Sequence, residues 1–429
     1  MRSTDVEESI LRVKTRLRGW WTILWLCGFL PLSVDAASNQ LDFSGYYEQI
    51  YQIRVVSQNA GSKSSIGSGF QVTANGLIIT NYHVVSEYVQ NPDHYEIRFA
   101  EHDGETGVLE LLDFDIVNDL AVLRHPDPSK NYFSLAQEEP NKGEIAYALG
   151  NPGDWGIVMV SGPTNGQVEH SFKDTILFSG SLNSGMSGGP SINRSGDVIG
   201  VNVATAGSQL SFLVPVEKVK NLLMRSRTLD SSEYQLQIAR QIRSWQLIRT
   251  DGLINSAWKE EKLLDRDLVG EIRSDFQCWG GSNESDAERE IEWVSKWCEA
   301  GDEIYVSSDV DAGQISYYFT RRRPVTLNAM QFTRLQKVGM RADNSTNFEN
   351  STNYLCTTNF LNQENQESGS YTRIVTCIRA FKKYPGLYDS LLLIQQQSSN
   401  EVFEAHVSLS AMQKTQIQAI NKRFAEYAL

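Results

Sequence analysis

Short runs of apolar or alternating residues, separated by Gly, Asn and Pro, fill the chain between Leu41 and Val214. Asn75-Gly76 lies between two of these runs and is a typical signal for a tight β-hairpin turn. Many short strands joined by regular turns are typical of a β-sandwich or of a pair of β-barrels. We interpret the following runs as strands: 68–73, 77–80, 96–100, 107–114, 120–124, 144–149, 157–161, 175–179, 198–204 and 211–214.

Two helical patterns follow the strand-rich segment. Pro215 opens a stretch whose apolar residues recur at helical spacing, as expected of a helix that closes a domain. A second stretch with the same period predicts a helical linker over 230–268. These signals divide the chain near residue 228 and predict a first domain over 42–226.

The N-terminus has the pattern of a secretory signal peptide. A basic stretch precedes a short, mostly apolar run from Trp20 to Leu32, and Val34-Asp35-Ala36 offers small residues for cleavage. The run is shorter than the roughly 20 residues that cross a bilayer. We expect residues 1–37 to be a signal peptide and the mature protein to be periplasmic or secreted. An uncleaved N-terminal anchor is the alternative.

The charge of the chain bears on its partners. Lys and Arg number 39 against 52 for Asp and Glu, which gives a formal net charge of −13. A chain with this negative charge repels the phosphates of nucleic acids. No block of basic residues follows the one at the N-terminus. We therefore expect no nucleic-acid partner, and membrane attachment only through the N-terminal segment. The sequence leaves the oligomeric state open.

Four cysteines lie in the C-terminal half, at Cys278, Cys298, Cys356 and Cys377. An even number of cysteines in an exported chain predicts disulfides. A zinc site is the weaker interpretation, because no C-x-x-C occurs and the histidines are scattered away from the cysteines. We expect two disulfides and no metal.

The C-terminal half also has features that indicate an internal repeat. The first two cysteines are 20 residues apart and the last two are 21 apart. Each pair is followed by an apolar run, at Glu303–Val306 and at Leu391–Ile394. The motif V-x-L-x-A-M-Q then begins at Val325 and again at Val407. Duplication explains these features together, and coincidence between two apolar helix starts is the alternative.

Duplication predicts two α+β units, at 270–342 and 346–429, each with one internal disulfide. Four cysteines allow three connectivities. We favour the pairs Cys278–Cys298 and Cys356–Cys377, because duplication would copy a bond that lies within the unit. Loops of about 20 residues closed in this way each stabilise a fold by roughly 3 kcal/mol on the chain-entropy estimate.

Three segments of the first domain hold the residue types that acyl transfer requires. His83 follows a predicted strand, Asp119 precedes a buried strand, and Ser187 lies in a glycine-rich loop. Each has an ordinary structural explanation when taken alone. Acyl transfer, however, needs a nucleophile, a base, a carboxylate that orients the base, and donors for the developing oxyanion. All four have candidates here, in the order His, Asp, Ser.

These segments resemble the motifs of trypsin-like (chymotrypsin-fold) serine peptidases of the HtrA/Deg-type branch. The matching stretches are T-N-Y-H-V-V at Thr80–Val85, N-D-L-A-V-L at Asn118–Leu123 and G-M-S-G-G-P at Gly185–Pro190. Met186 replaces the more usual Asn or Asp. The resemblance covers about 42–226 and implies two packed six-stranded antiparallel β-barrels with the site between them.

The resemblance implies a role for each matching residue. Ser187 would be the nucleophile, His83 the general base and then the general acid, and Asp119 the residue that orients the imidazole. The N–H groups of Gly185 and Ser187 would form the oxyanion hole. Met186 leaves these donors available, because the hole uses main-chain groups.

The primary specificity pocket can also be located by resemblance. Ser181, six residues before the nucleophile, would lie at its base, with Val203 and Ala204 in its walls. Since Ser181 carries no charge, a basic substrate side chain would be buried without a partner, which is costly. We expect a preference for small or medium apolar residues at the cleaved position.

The fold class that we expect is mainly β, a double-barrel peptidase domain followed by an α+β region without a recognisable PDZ domain. The leading function is an exported serine endopeptidase that cleaves protein or peptide substrates in protein quality control and needs no cofactor. The alternative is a binding or chaperone-like module that keeps the peptidase fold with little turnover.

Overall fold

The computed structural model describes residues 43–153, 155–207, 209–263, 266–336, 349–361 and 370–429, without the side chains of 204–207. The signal peptide or anchor expected at 1–37 lies outside the described residues. No helix within the described ranges is both long and apolar enough to cross a membrane.

Seven antiparallel strands form the first sheet, in the order β5-β4-β1-β2-β3-β7-β6. The elements of this part are a 3-10 helix at Phe43–Gln49, β1 Ile50–Ser57, β2 Lys63–Gln71, β3 Leu77–Thr80, α1 Tyr82–Gln90, β4 Tyr95–Ala100, β5 Thr106–Val108, β6 Glu110–Asp115 and β7 Leu120–Arg124. We expected a closed barrel of six strands. Instead, β5 pairs with the outer edge of β4, and the sheet curls without closing.

Six further strands form a closed barrel, in the order β10-β13-β12-β11-β8-β9. Its elements are β8 Ile145–Gly150, β9 Val158–Gln167, β10 Ile176–Phe178, β11 Pro190–Ile192, β12 Val198–Gly207 and β13 Leu210–Pro215, followed by α2 Val216–Arg225. Apolar side chains that include Ile176, Phe178 and Val201 fill its interior. The predicted mainly β fold is confirmed, with one barrel closed and the other open.

The C-terminal part is built around another seven-stranded sheet, flanked by helices. Its elements are a 3-10 helix at Ser231–Glu233, α3 Tyr234–Asn255, β14 Glu260–Leu263, β15 Arg266–Val269, β16 Phe276–Ser282, β17 Ile291–Ala300, β18 Ile304–Ser307, β19 Val310–Ala312, β20 Ile315–Pro324, α4 Ala329–Leu335, β21 Leu355–Leu361, β22 Tyr371–Ala380, β23 Tyr388–Gln397, β24 Val402–Met412 and α5 Lys414–Ala428. Seven of these strands make one sheet, in the order β16-β17-β20-β24-β23-β22-β21.

The two cysteine pairs lie at equivalent places in this sheet. Cys278 faces Cys298 across β16 and β17, and Cys356 faces Cys377 across β21 and β22. Both facing pairs are disulfides. β20 and β24, each followed by a helix, pair with each other at the centre. Both halves therefore share one continuous sheet.

The halves differ in the segment between the disulfide hairpin and the central strand. In the second half this segment contributes β23, which pairs with β22 and β24 inside the sheet. In the first half it forms β18 and β19, which pair only with each other among the described strands. This separate hairpin packs against α1 and the first sheet.

One apolar core joins the first sheet to the C-terminal part. Tyr51 and Phe114 of the first sheet belong to the same buried cluster as Ile238 of α3 and Ile304 of β18. Burial of apolar surface stabilises by roughly 25 cal/mol per Å², so this shared core holds the C-terminal part against the first sheet.

Candidate active site

His83 is placed by the junction of β3 and α1. The strand ends at Thr80 and the helix begins at Tyr82, so His83 lies in the first helical turn. Its ring Nδ1 lies 2.6 Å from Oδ2 of Asp119. Its main-chain N–H donates to Oδ1 of the same carboxylate at 2.8 Å. Both oxygens of Asp119 therefore orient this one residue, which fixes the tautomer that a general base needs.

Asp119 itself lies in an unusual backbone conformation. Its φ is 53°, in the left-handed region that few residues other than glycine adopt. The side chain of Asn81 donates to the main-chain O of Asp119 at 2.8 Å and holds this turn in place. Backbone strain of this kind is typical of functional sites.

The electrostatics of the pair favour a charged imidazole. Burial lowers the pKa of His83, but the charge of Asp119 and the hydrogen bond to it outweigh that effect. The pKa of His83 consequently lies above its ordinary value of 6.5. The side chains of His83 and Asp119 remain 31% and 20% exposed, so the pair is accessible from the cleft.

Two glycines shape the loop that carries Ser187. Gly185 and Gly188 have φ values of 90° and 84°. A Cβ at Gly188 would lie 2.2 Å from the main-chain O of Ser68, so no larger residue fits there. Met186, between the glycine and the serine, is fully buried in the core of the closed barrel. A long apolar residue at this position therefore suits the packing.

The Ser187 hydroxyl donates to the main-chain O of Val203 at 2.8 Å. Among the described residues, no hydrogen bond joins Ser187 to His83. The structure thus brings His83 and Asp119 together as a pair, while the Ser187 hydroxyl is hydrogen-bonded to the neighbouring strand β12. Substrate-free enzymes often have long or absent hydrogen bonds between nucleophile and base.

The main-chain N–H groups of Gly185 and Ser187 are available for an oxyanion. Met186 N donates to Asn183 O at 3.0 Å, and Gly188 N donates to Asn202 O at 2.9 Å. Within the described parts of the chain, no acceptor takes the N–H of Gly185 or of Ser187. The N–H groups of Gly185 and Ser187 are therefore free in this loop, which is what an oxyanion hole requires.

Ser68 is a site residue to which sequence reasoning gave no role. Its main-chain N–H donates to Ser187 O at 2.7 Å, and its hydroxyl donates to Gly185 O at 2.7 Å. The same hydroxyl accepts from the N–H of Asn151 at 2.8 Å. Ser68 thus ties β2 of the first sheet to the Ser187 loop of the closed barrel. The sequence signal was Gly67-Ser68-Gly69, a small polar residue between two glycines in a strand.

The predicted pocket residues occupy different environments. Ser181 is exposed and Val203 is half-buried, while the side chain of Ala204 lies outside the described part. A cavity of about 420 Å³ adjoins Asp119 and Val203. Asp302 of the C-terminal part lines the same cavity and accepts a hydrogen bond from the Ser171 hydroxyl at 2.8 Å. A residue of the C-terminal part therefore contributes to the surroundings of the site.

Residues 67–201 match the family model described as a trypsin-like peptidase domain. With the fold above, this match defines that segment as a trypsin-like peptidase domain. Serine protease HTRA1 of Xenopus laevis is 30% identical over 176 residues, which cover 39% of this chain and 37% of that protein. A probable periplasmic serine endoprotease, DegP-like, of Chlamydia pneumoniae is 28% identical over 231 residues, covering 51% of this chain and 45% of that protein. The chain thus spans less than half the length of these relatives.

The chain also aligns with solved structures over less than half of its length. The serine endoprotease from Yersinia pestis aligns with 23% identity and a TM-score of 0.37, covering 43% of this chain and 64% of that chain. Deg5 aligns with 24% identity and a TM-score of 0.38, covering 44% of this chain and 94% of that chain.

Proposed function

We propose that the chain is a serine endopeptidase in which Ser187, His83 and Asp119 form the catalytic triad. The observation that carries the proposal is the twofold hydrogen bonding of His83 to Asp119, close to a serine loop with two free N–H groups. An oriented base and preorganised oxyanion donors are the parts that acyl transfer needs.

The reaction begins when the Ser187 hydroxyl turns from Val203 O towards Nε2 of His83. His83 takes the hydroxyl proton as Oγ attacks the scissile carbonyl, and the oxyanion accepts hydrogen bonds from the N–H groups of Gly185 and Ser187. Collapse of this intermediate breaks the C–N bond, and the imidazolium gives its proton to the departing amine. Water then hydrolyses the acyl-enzyme by the same route. Asp119 keeps its charge throughout and stabilises the imidazolium.

An active-site probe tests the assignment. A fluorophosphonate should label the wild-type chain, and Ser187→Ala should abolish both labelling and cleavage of an unfolded protein substrate. His83→Ala should reduce cleavage by several orders of magnitude, because the triad acts as a unit. Ser184→Ala is the matched control, since Ser184 is an exposed serine of the same loop. Labelling that survives in Ser187→Ala would contradict the proposal.

The alternative is a peptidase-fold module that binds proteins with little turnover. It is favoured by the hydrogen bond from the Ser187 hydroxyl to Val203 O, which draws the nucleophile away from the base. A folded wild-type chain that neither labels with the fluorophosphonate nor cleaves unfolded protein would support this alternative.

Export to the periplasm or beyond, with a role in protein quality control, is the setting that we propose. The N-terminal signal pattern supports it, as do the two disulfides, which persist in oxidising compartments. A relative described as a periplasmic serine endoprotease agrees with this setting. Cell fractionation, with residue 38 sought as a new N-terminus near the predicted cleavage point, tests it.

The primary pocket of the proposed enzyme has Ser181 at its base. Because no carboxylate stands at that position, we expect cleavage after small or medium apolar residues. Ser181→Asp should introduce cleavage after Arg or Lys, while Ser181→Asn, a neutral residue of matching size, should not. Cleavage-site profiling of a whole proteome measures both, and dominant cleavage after basic residues by the wild-type chain would refute the assignment.

A further inference from the structure

The separate hairpin β18–β19 lies against the helix that carries His83. The carbonyl O of Val306 accepts hydrogen bonds from the Tyr82 hydroxyl at 2.8 Å and from the Gln90 side chain at 3.3 Å. Ile304 and Val306 are fully buried in the shared core. With residues on both sides anchored, the position of Tyr305 is fixed relative to α1.

Tyr305 points from this hairpin to the catalytic imidazole. The ring centroids of Tyr305 and His83 are 6.3 Å apart, and their planes are nearly perpendicular at 87°. The Tyr305 hydroxyl lies 3.5 Å from the hydroxyl of Ser86, which itself donates to the main-chain O of His83 at 3.0 Å. Tyr305 is half-buried, and its ring lies next to the imidazole.

We propose that Tyr305 is a specificity-determining residue of the peptidase cleft, supplied by the C-terminal part. This inference rests on the proposed function. The base must reach both the Ser187 hydroxyl and the departing amine, so the substrate chain lies against the His83 ring. A side chain next to the scissile residue then meets the Tyr305 ring.

The geometry also indicates which side chains this subsite takes. An aromatic ring offers an apolar surface for a medium-sized apolar side chain, and the same ring leaves little room for a large aromatic one. Tyr305 thus restricts size at a substrate position other than the one that fills the Ser181 pocket. The hairpin is also where the first half of the C-terminal sheet departs from the second, which supports a function of its own for this segment.

Substitutions at Tyr305 test this role. Tyr305→Ala opens the space beside His83, and Tyr305→Leu does so in part while keeping an apolar side chain in the hairpin. Tyr305→Phe keeps the ring and removes only the hydroxyl. Tyr371→Ala is the matched control, because Tyr371 is another half-buried tyrosine of the C-terminal sheet, on β22. Thermal melting identifies the variants that remain folded.

The readout is cleavage of a positional-scanning peptide library, with fluorophosphonate labelling in parallel. For Tyr305→Ala we expect the ratio of kcat/KM for large aromatic over medium apolar residues to rise about tenfold at one position beside the cleaved residue. Such a factor is ordinary for a changed apolar subsite. Tyr305→Leu should raise the same ratio at the same position by a smaller factor. This variant tests the inference even if Tyr305→Ala fails to fold. In Tyr305→Ala and Tyr305→Leu, the preference at the cleaved residue should match that of the wild type. In Tyr305→Phe and Tyr371→Ala, the preferences at the cleaved residue and at the position beside it should both match the wild type.

Three outcomes overturn the inference, and they distinguish its failure from that of the proposed function. If the wild type labels and cleaves, but the folded Tyr305 variants keep its preference at every position, the assignment of Tyr305 is wrong and the proposed function stands. The same holds if Tyr371→Ala produces an equal change. If the wild type neither labels nor cleaves, the proposed function fails and the inference fails with it.

Discussion

Asp119 accepts hydrogen bonds from two groups of His83, the ring Nδ1 at 2.6 Å and the main-chain N–H at 2.8 Å. Asp119→Asn keeps the size of the side chain but presents an NH₂ group, which favours the imidazole tautomer with its proton on Nε2. That tautomer cannot take the Ser187 proton. We expect kcat for a peptide substrate to fall by about 10⁴-fold, as for other triads that lose this carboxylate.

Asp103→Asn is the control for this change, because Asp103 is an exposed aspartate of the same sheet region and its loss should leave kcat unaltered. The fluorophosphonate should still reach Ser187 in Asp119→Asn, at a much lower rate. An Asp119→Asn variant with more than about a hundredth of the wild-type activity would contradict the role of this carboxylate.

The pH dependence of cleavage follows from the pKa of His83. The imidazole acts as a base only when it is neutral, so kcat/KM should rise with pH as the proton is lost. Asp119 holds the pKa above 6.5, so the midpoint of the rise should lie above that value. Steady-state rates from pH 5 to 9 measure it. A flat profile, or a midpoint below 6.5, would rule out His83 as the base.

Ser68 should matter to both the stability and the rate. In Ser68→Ala, the carbonyl O of Gly185 and the N–H of Asn151 lose their buried partner, which costs about 1–3 kcal/mol in the free energy of unfolding. The nucleophile loop is then less well held, and we expect kcat to fall on the order of tenfold with KM little changed. Ser65→Ala, on the same strand, should have neither effect. Equal activity of Ser68→Ala and wild type would show that the loop needs no such support.

The sequence predicted the parts of the site that depend on local pattern. His83, Asp119 and Ser187 lie in short motifs whose glycines and strand ends are readable along the chain. The orientation of the Ser187 hydroxyl could not be predicted, because it depends on Val203 O, which reaches the site only when β12 folds beside the loop. The role of Ser68 depends on contacts more than a hundred residues away, such as the one with Gly185.

The position of the C-terminal strands in their sheets could not be predicted either, because it also depends on contacts between distant parts of the chain. Glu303–Val306 and Leu391–Ile394 are both short apolar runs after a cysteine pair, and they looked equivalent. Most of the first run became β18 in a separate hairpin, whereas the second lies in β23 inside the large sheet. Periodicity indicates a strand but does not identify the strand with which it pairs. That pairing decides whether Tyr305 lies next to His83.

The shared core predicts that the peptidase part depends on the C-terminal part for its stability. Ile304 of β18 is fully buried among residues of the first sheet and α3. Ile304→Ala should lower the free energy of unfolding by about 2–5 kcal/mol, through lost burial and the cavity left behind. Leu335→Ala is the control, since Leu335 is 53% exposed, and it should change stability by less than about 0.5 kcal/mol. Urea unfolding of the full chain measures both.

A chain that ends at residue 229 extends this prediction to the whole interface. Without α3 and the β18–β19 hairpin, the buried Tyr82 hydroxyl loses its acceptor on Val306, and the apolar face of the first sheet becomes exposed to water. We expect this shortened chain to unfold without a cooperative transition or to aggregate, and to label poorly with the fluorophosphonate. If it melts cooperatively at the temperature of the full chain and labels at the same rate, the peptidase part folds by itself and the shared core contributes little to its stability.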